Sequence, residues 1–117
     1  MDALKNLEVW RLASRFSVDV FTLLAECPNR GFADQLGRSA LSIASNIAEG
    51  YERESARERA QFLKIAKGSC AEAWTQILIG AEAGLLRREA AMTCASDAER
   101  IRGMLFAFIR QVEGATR

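Results

Sequence analysis

Cys94-Ala95-Ser96-Asp97-Ala98-Glu99-Arg100-Ile101-Arg102-Gly103-Met104-Leu105-Phe106-Ala107-Phe108-Ile109-Arg110-Gln111-Val112 decides how the rest of the chain is read. Within it Cys94, Ala98, Ile101, Leu105, Phe108 and Val112 are spaced alternately by four and three residues. At about 100° per residue these positions project within about 80° of one another, the narrow apolar seam a helix offers to a neighbour. The spacing recurs upstream in Leu63, Ala66, Cys70, Trp74, Ile77 and Ala81, and again in Leu36, Ala40, Ile43 and Ile47. Ser55-Ala56-Arg57-Glu58 opens the third segment as a capping box: a serine oxygen accepts from first-turn amides while a glutamate reaches back. Gly84 is placed to end that helix in a left-handed cap.

Breaks are few. Pro28-Asn29-Arg30-Gly31, Gly50 to Ser55, and Gly84 to Arg88 separate four long segments rich in Ala, Leu, Arg and Glu and poor in β-branched residues. Short connections turn successive helices antiparallel. The sequence therefore predicts one all-α domain over residues 1–117, an up-down-up-down antiparallel four-helix bundle with helices near 4–27, 32–49, 55–83 and 88–113.

The first helix differs from the others. From Leu7 to Cys27 its apolar residues cover about half the circumference, and the polar ones are confined to a stripe of Glu8, Arg11, Arg15, Asp19, Thr22 and Glu26. A helix in a monomeric bundle needs a narrower apolar face, and large exposed apolar patches are rare on soluble monomers. This predicts self-association through Val9, Leu12, Phe16, Val20 and Leu23, helped by Phe106 from the fourth helix. Long arginine side chains covering the surplus, or a different phase of the helix, are the alternatives.

Composition narrows the chemistry. The 117 residues include 16 Lys+Arg, 15 Asp+Glu and no His, for a net charge of +1. Without histidine there is no imidazole metal site and no Ser-His or Cys-His nucleophile pair. Charge is not segregated: residues 1–50 carry five basic and six acidic side chains, and residues 51–117 carry eleven and nine. Cys27, Cys70 and Cys94 are odd in number and form no CxxC, so they are expected as small buried hydrophobes of a reducing compartment. No apolar run is long enough to span a bilayer, no Gly-rich phosphate loop occurs, and the opening residues lack a signal peptide's apolar stretch. The expectation is a cytoplasmic, non-enzymatic protein with no cofactor, no metal, no membrane and no small-molecule substrate.

Two constellations remain. Ser39, Ser42, Ser45, Asn46 and Glu49 in the second helix, with Ser69, Glu72 and Gln76 in the third, border the seams. A di-iron carboxylate site would need Glu-x-x-His pairs, so hydrogen bonding between helices, or helix capping before Gly50, is the better reading, and Glu49 with Glu72 makes a poor catalytic pair. The second constellation is basic. Arg57, Lys64 and Lys67 project within about 80° beside the third seam, with Arg53 just before the cap and Arg38 or Arg59 extending the set. Such a stripe could meet phosphates; a solvated flank balanced by Glu54, Glu58 and Glu82 is the alternative. Tyr51 and Trp74 do not interleave with these cations as base-stacking aromatics would.

Ser39-Ala40-Leu41-Ser42-Ile43-Ala44-Ser45-Asn46-Ile47-Ala48-Glu49-Gly50-Tyr51-Glu52-Arg53 resembles the hallmark of a family often labelled ribosomal protein S23, the proteins encoded in intervening sequences of bacterial 23S rRNA genes. Phe62 to Gln76 is similar to its second signature, and Leu7-Glu8-Val9-Trp10 to its opening. Ala44 stands where relatives often have proline, and Gly37-Arg38 where they often have two basic residues. The resemblance implies a helical bundle assembling as a ring-like homopentamer. It also points to a relative, the accessory variability protein of diversity-generating retroelements, which binds nucleic acid and a partner reverse transcriptase through a basic surface. Asn46, Glu49, Gly50, Glu72 and Gln76 match the motif positions and are expected to be architectural. The combined expectation is an interaction module that binds RNA, DNA or a nucleic-acid-processing protein through Arg38, Arg53, Arg57, Lys64 and Lys67. A purely structural oligomer or protein adaptor is the alternative.

Overall fold

Local capping sets two helix starts and one helix end in the computed structural model, which describes residues 1–114. Among these residues the chain forms α1 (Asp2–Lys5), α2 (Glu8–Leu24), α3 (Arg30–Tyr51), α4 (Ala56–Glu82) and α5 (Arg88–Gly114). The side chain of Asn29 accepts from the Phe32 amide at 2.9 Å and starts α3. Ser55 does the same for Glu58 at 3.1 Å and starts α4, while its hydroxyl donates to the Glu58 carboxylate. Gly84, at φ 76°, ends α4: its amide bonds Ala81 and the Leu85 amide bonds Gly80, the two bonds of a Schellman cap.

Four of the five helices are long. α4 and α5, at 27 residues each, run about 40 Å. Each long helix packs chiefly on two others, in the cycle α2, α3, α4, α5 and back to α2. Phe16, Val20, Leu36, Ile43, Ile47, Ile77, Ile101 and Leu105 meet at the centre, each less than 2% exposed. The α2–α3 register is pinned by Ser17, whose hydroxyl is shared between the Ala13 carbonyl of its own helix (3.2 Å) and the Ala40 carbonyl opposite (3.1 Å). The α3–α4 register is pinned by Ser69 donating to the Ser42 hydroxyl at 3.0 Å.

Several expectations need correction. The opening segment is not one helix over 4–27: it breaks at Asn6–Leu7 and α2 stops at Leu24. Leu4 of the short α1 is nonetheless buried. Cys70 and Cys94 are buried, but Cys27, in the α2–α3 connection, is only partly covered. Near the end of α5 the seam rotates, so Ile109 rather than Phe108 enters the core. This follows from 3.6 residues per turn drifting against a strict seven-residue repeat.

The largest correction concerns α2. Val9, Phe16, Val20 and Leu23 are buried inside a single chain, between 0 and 9% exposed, and Leu12 is partly covered against the same core. They are core residues, not subunit contacts. Removing the Phe16 side chain would cost about 3–5 kcal/mol of folding stability. Surplus apolar surface does exist on α2, but on another part of the arc, at Val18 (55% exposed) and Phe21 (49% exposed). The Phe21 ring lies against Gly37 of α3, and Leu41, one turn further along α3, is 51% exposed. With Ser17 set against Ala40, Val18 and Leu41 stand at the same level of one α2–α3 face.

Candidate nucleic-acid interface

Lys67 on α4 and Arg110 on α5 converge on one ring. The Lys67 ammonium lies 5.4 Å and the Arg110 guanidinium 5.8 Å from the centroid of Phe106, which is itself about half exposed. One turn towards the start of α4, Lys64 pairs with Glu113 of α5 at 2.7 Å. Arg57, Gln61, Lys64 and Ile65 line a surface groove of about 920 Å³ that Glu113 borders from α5. Arg102, one turn before Phe106, extends the basic face towards a smaller notch it shares with Trp74 and Glu99. The α4–α5 face thus sets Lys67 and Arg110 over one aromatic, with Arg102 one turn before it on α5 and Lys64 and then Arg57 further towards the start of α4, and with Glu99 and Glu113 among its acids.

Two of the five cations expected in the set stand elsewhere. Arg53 is held at the α3–α4 corner: its guanidinium pairs with Glu49 at 2.6 Å and covers the Phe62 ring at 4.7 Å, and its carbonyl accepts from Arg59 Nε at 2.7 Å. Arg38 is exposed on α3, which packs on α2 and α4 and forms no part of the α4–α5 face. Arg102 and Arg110 are absent from the set expected on sequence, although Arg102, Phe106 and Arg110 fall at every fourth position of the fourth segment. Phe106, expected as a subunit contact, is the aromatic that interleaves with the cations.

The motif residues divide. Asn46 donates to both the carbonyl and the hydroxyl of Ser42 (2.8 and 2.9 Å), completing a Ser69–Ser42–Asn46 chain at the α3–α4 contact. Gly50 lets α4 approach: a Cβ there would meet Phe62 and the Arg59 carbonyl. Glu49 anchors Arg53. The side-chain carbonyl of Gln76 is buried with no hydrogen-bond partner among the described residues, and Glu72 is exposed with no contact that explains it. Burial pushes the Cys70 thiol up to about 12, against a smaller opposing pull from Arg102. Burial, then Asp19 and Asp97, push Cys94 up to about 11. Both thiols stay protonated near neutral pH and are poor nucleophiles. Among the described residues no group of three or more Cys, Asp or Glu is placed to hold a metal ion.

The family model for 23S rRNA-intervening sequence proteins matches residues 5–107. The chain belongs to that family. Among solved structures, a protein of unknown function from the S23 ribosomal protein family of Bacteroides thetaiotaomicron superposes with a TM-score of 0.81. It is 23% identical, and the match covers 87% of this chain and 98% of the other. The two share a fold. No curated protein matches the chain. For this intervening-sequence family member no described helix is long and apolar enough to cross a membrane.

Proposed function

We propose that this chain is a non-enzymatic cytoplasmic protein, an up-down-up-down four-helix bundle that binds nucleic acid on its α4–α5 face and assembles with copies of itself through its α2–α3 face. The observation that carries the first half is the convergence of Lys67 and Arg110 on Phe106 beside the Arg57 and Lys64 groove. Lys67 and Arg110 over one ring, with Arg102 one turn away and Lys64 paired to Glu113, make a local basic field on a chain whose net charge is only +1. Phosphate contacts from such a face give salt-dependent affinity without base recognition. The family's link to 23S rRNA genes is compatible with an RNA or an RNA-processing partner.

The second half rests on Val18, Phe21 and Leu41, three large apolar side chains about half exposed on α2 and α3. The resemblance to the S23 family suggests a homopentameric ring. That same surface favours a second reading, a protein adaptor or structural oligomer without a nucleic-acid role. Fluorescence anisotropy with labelled RNA separates them. The wild-type protein is expected to bind with an affinity that falls steeply with salt, and Lys67→Glu with Arg110→Glu is expected to abolish binding while leaving the helical circular dichroism unchanged. Absence of binding at low salt would favour the adaptor.

A further inference from the structure

Resting on the reading of the α4–α5 face as a nucleic-acid interface, we infer that it selects unpaired nucleotides, with Phe106 as the platform on which one base stacks. Every phosphate backbone attracts cations, so Arg57, Lys64, Lys67 and Arg110 alone would accept duplex and single strand alike. Phe106 changes that. A phenyl ring half exposed at the centre of a basic face, rather than packed into the core, is the feature that single-strand binders combine with a charged groove. A base in a duplex has both faces occupied by its neighbours and cannot reach it.

The cations already over the ring do not block the site. Lys67 and Arg110 are flexible side chains at 5.4 and 5.8 Å from the centroid, held by an exposed cation–π attraction that is weaker than base stacking. An arriving base displaces one of them from the ring. The released charge is then within a side chain's reach of that nucleotide's own phosphate. The groove lined by Arg57, Gln61 and Lys64 opens one turn of α4 away, at Lys64, and offers room for a further nucleotide. Apart from the Gln61 amide the set consists of cations and one ring, so the preference is for strandedness rather than for sequence.

The test compares oligouridylate, oligothymidylate and a blunt-ended RNA hairpin closed by a non-nucleotide linker, of equal phosphate number, with wild type, Phe106→Leu and Lys67→Gln. Both single strands are expected to bind more tightly than the hairpin. F106L should weaken the single strands about tenfold, leave the hairpin unchanged and keep the salt slope. K67Q should lower the salt slope for all three ligands by about 0.7–0.9. Equal binding of hairpin and strands, or a wild-type affinity in F106L, overturns the stacking platform while the interface itself stands. A strong preference for RNA over DNA strands overturns the phosphate-and-stacking account. If F106L changes the subunit number, Phe106 is a subunit contact and the inference fails. If no ligand binds wild type, the interface reading fails first. Phe106 is exposed, so its replacement leaves the fold intact.

Discussion

Gly50 lies so close to Phe62 that a methyl group on it would stand 3.1 Å from the phenylalanine Cβ and 3.2 Å from the Arg59 carbonyl oxygen. Replacing a helical glycine by alanine ordinarily gains up to about 1 kcal/mol, whereas overpacking a tight contact costs about 1–3 kcal/mol. The atoms in the way are backbone and Cβ, which cannot swing aside, so the cost wins. Gly50→Ala is expected to destabilise the fold by about 1 kcal/mol. Gly68, inside α4, provides the contrast, because a methyl group on it would meet nothing within 4 Å. Gly68→Ala should stabilise by about 0.5–1 kcal/mol. Urea unfolding of the two variants checks the difference in sign, and stabilisation by both would show that α3 and α4 do not approach this closely.

Asp97 makes a pH-dependent prediction. Its carboxyl is pushed up from 3.8, first by partial burial and then by Asp19 across the α2–α5 contact, with Arg100 pulling the other way. A raised carboxyl binds protons better folded than unfolded. The destabilisation is therefore present above the folded-state value and lifts as pH falls through it towards 3.8. Asp97→Asn should raise the melting temperature at neutral pH, by less than about 1 kcal/mol because the group is largely solvated. The advantage should vanish below 3.8, where wild type is protonated in both states. Calorimetry across that range checks it, and an advantage that persists in acid would exclude the charge explanation.

Self-association through α2 and α3 is expected to respond to Val18→Glu with Leu41→Glu, both more than half exposed in one chain. Sedimentation velocity should show the double variant as a monomer at concentrations where wild type is an oligomer, with helical content kept. Phe16→Ala should behave differently, lowering folding stability by about 3–5 kcal/mol at any concentration. An unchanged oligomer in the double variant would place the contact on another face.

What could be read from the sequence followed from periodicity. Leu36, Ala40, Ile43 and Ile47 repeat cleanly enough that the core face of α3 is unambiguous, and all four are buried. The Ser55 cap and the Gly84 stop are local events, decided by residues within one turn. On α2 the apolar arc is wide, and periodicity alone cannot say which part of a half-circle faces inward. Phe16 and Val20 are inside and Val18 and Phe21 outside in the packing that also turns Ser17 to Ala40, a tertiary arrangement with no local signature. The α4–α5 site was hidden for the same reason. Arg57, Lys64 and Lys67 form a visible stripe, but their relation to Phe106, Arg110 and Glu113 depends on the register of two helices far apart along the chain.

Glu113 gives the sharpest test of how that face meets phosphate. Its carboxylate sits 2.7 Å from the Lys64 ammonium, with side chains 43% and 55% exposed respectively. An ion pair this open to water contributes about 0–1 kcal/mol to folding. Glu113→Gln should act on binding. The carboxylate neutralises one of the groove's cations and repels the ligand it would hold. Removing it leaves Lys64 free to release a counterion on binding, which steepens the dependence of log affinity on log salt by about 0.7 for a single strand. Oligouridylate affinity should therefore rise severalfold at low salt, with the gain shrinking as added salt shortens the reach of the charges. Anisotropy titrations at several salt concentrations measure both quantities together. A variant that matches wild type in affinity and slope would take Lys64 out of the interface and confine phosphate contact to Lys67, Arg110 and their neighbours on α5.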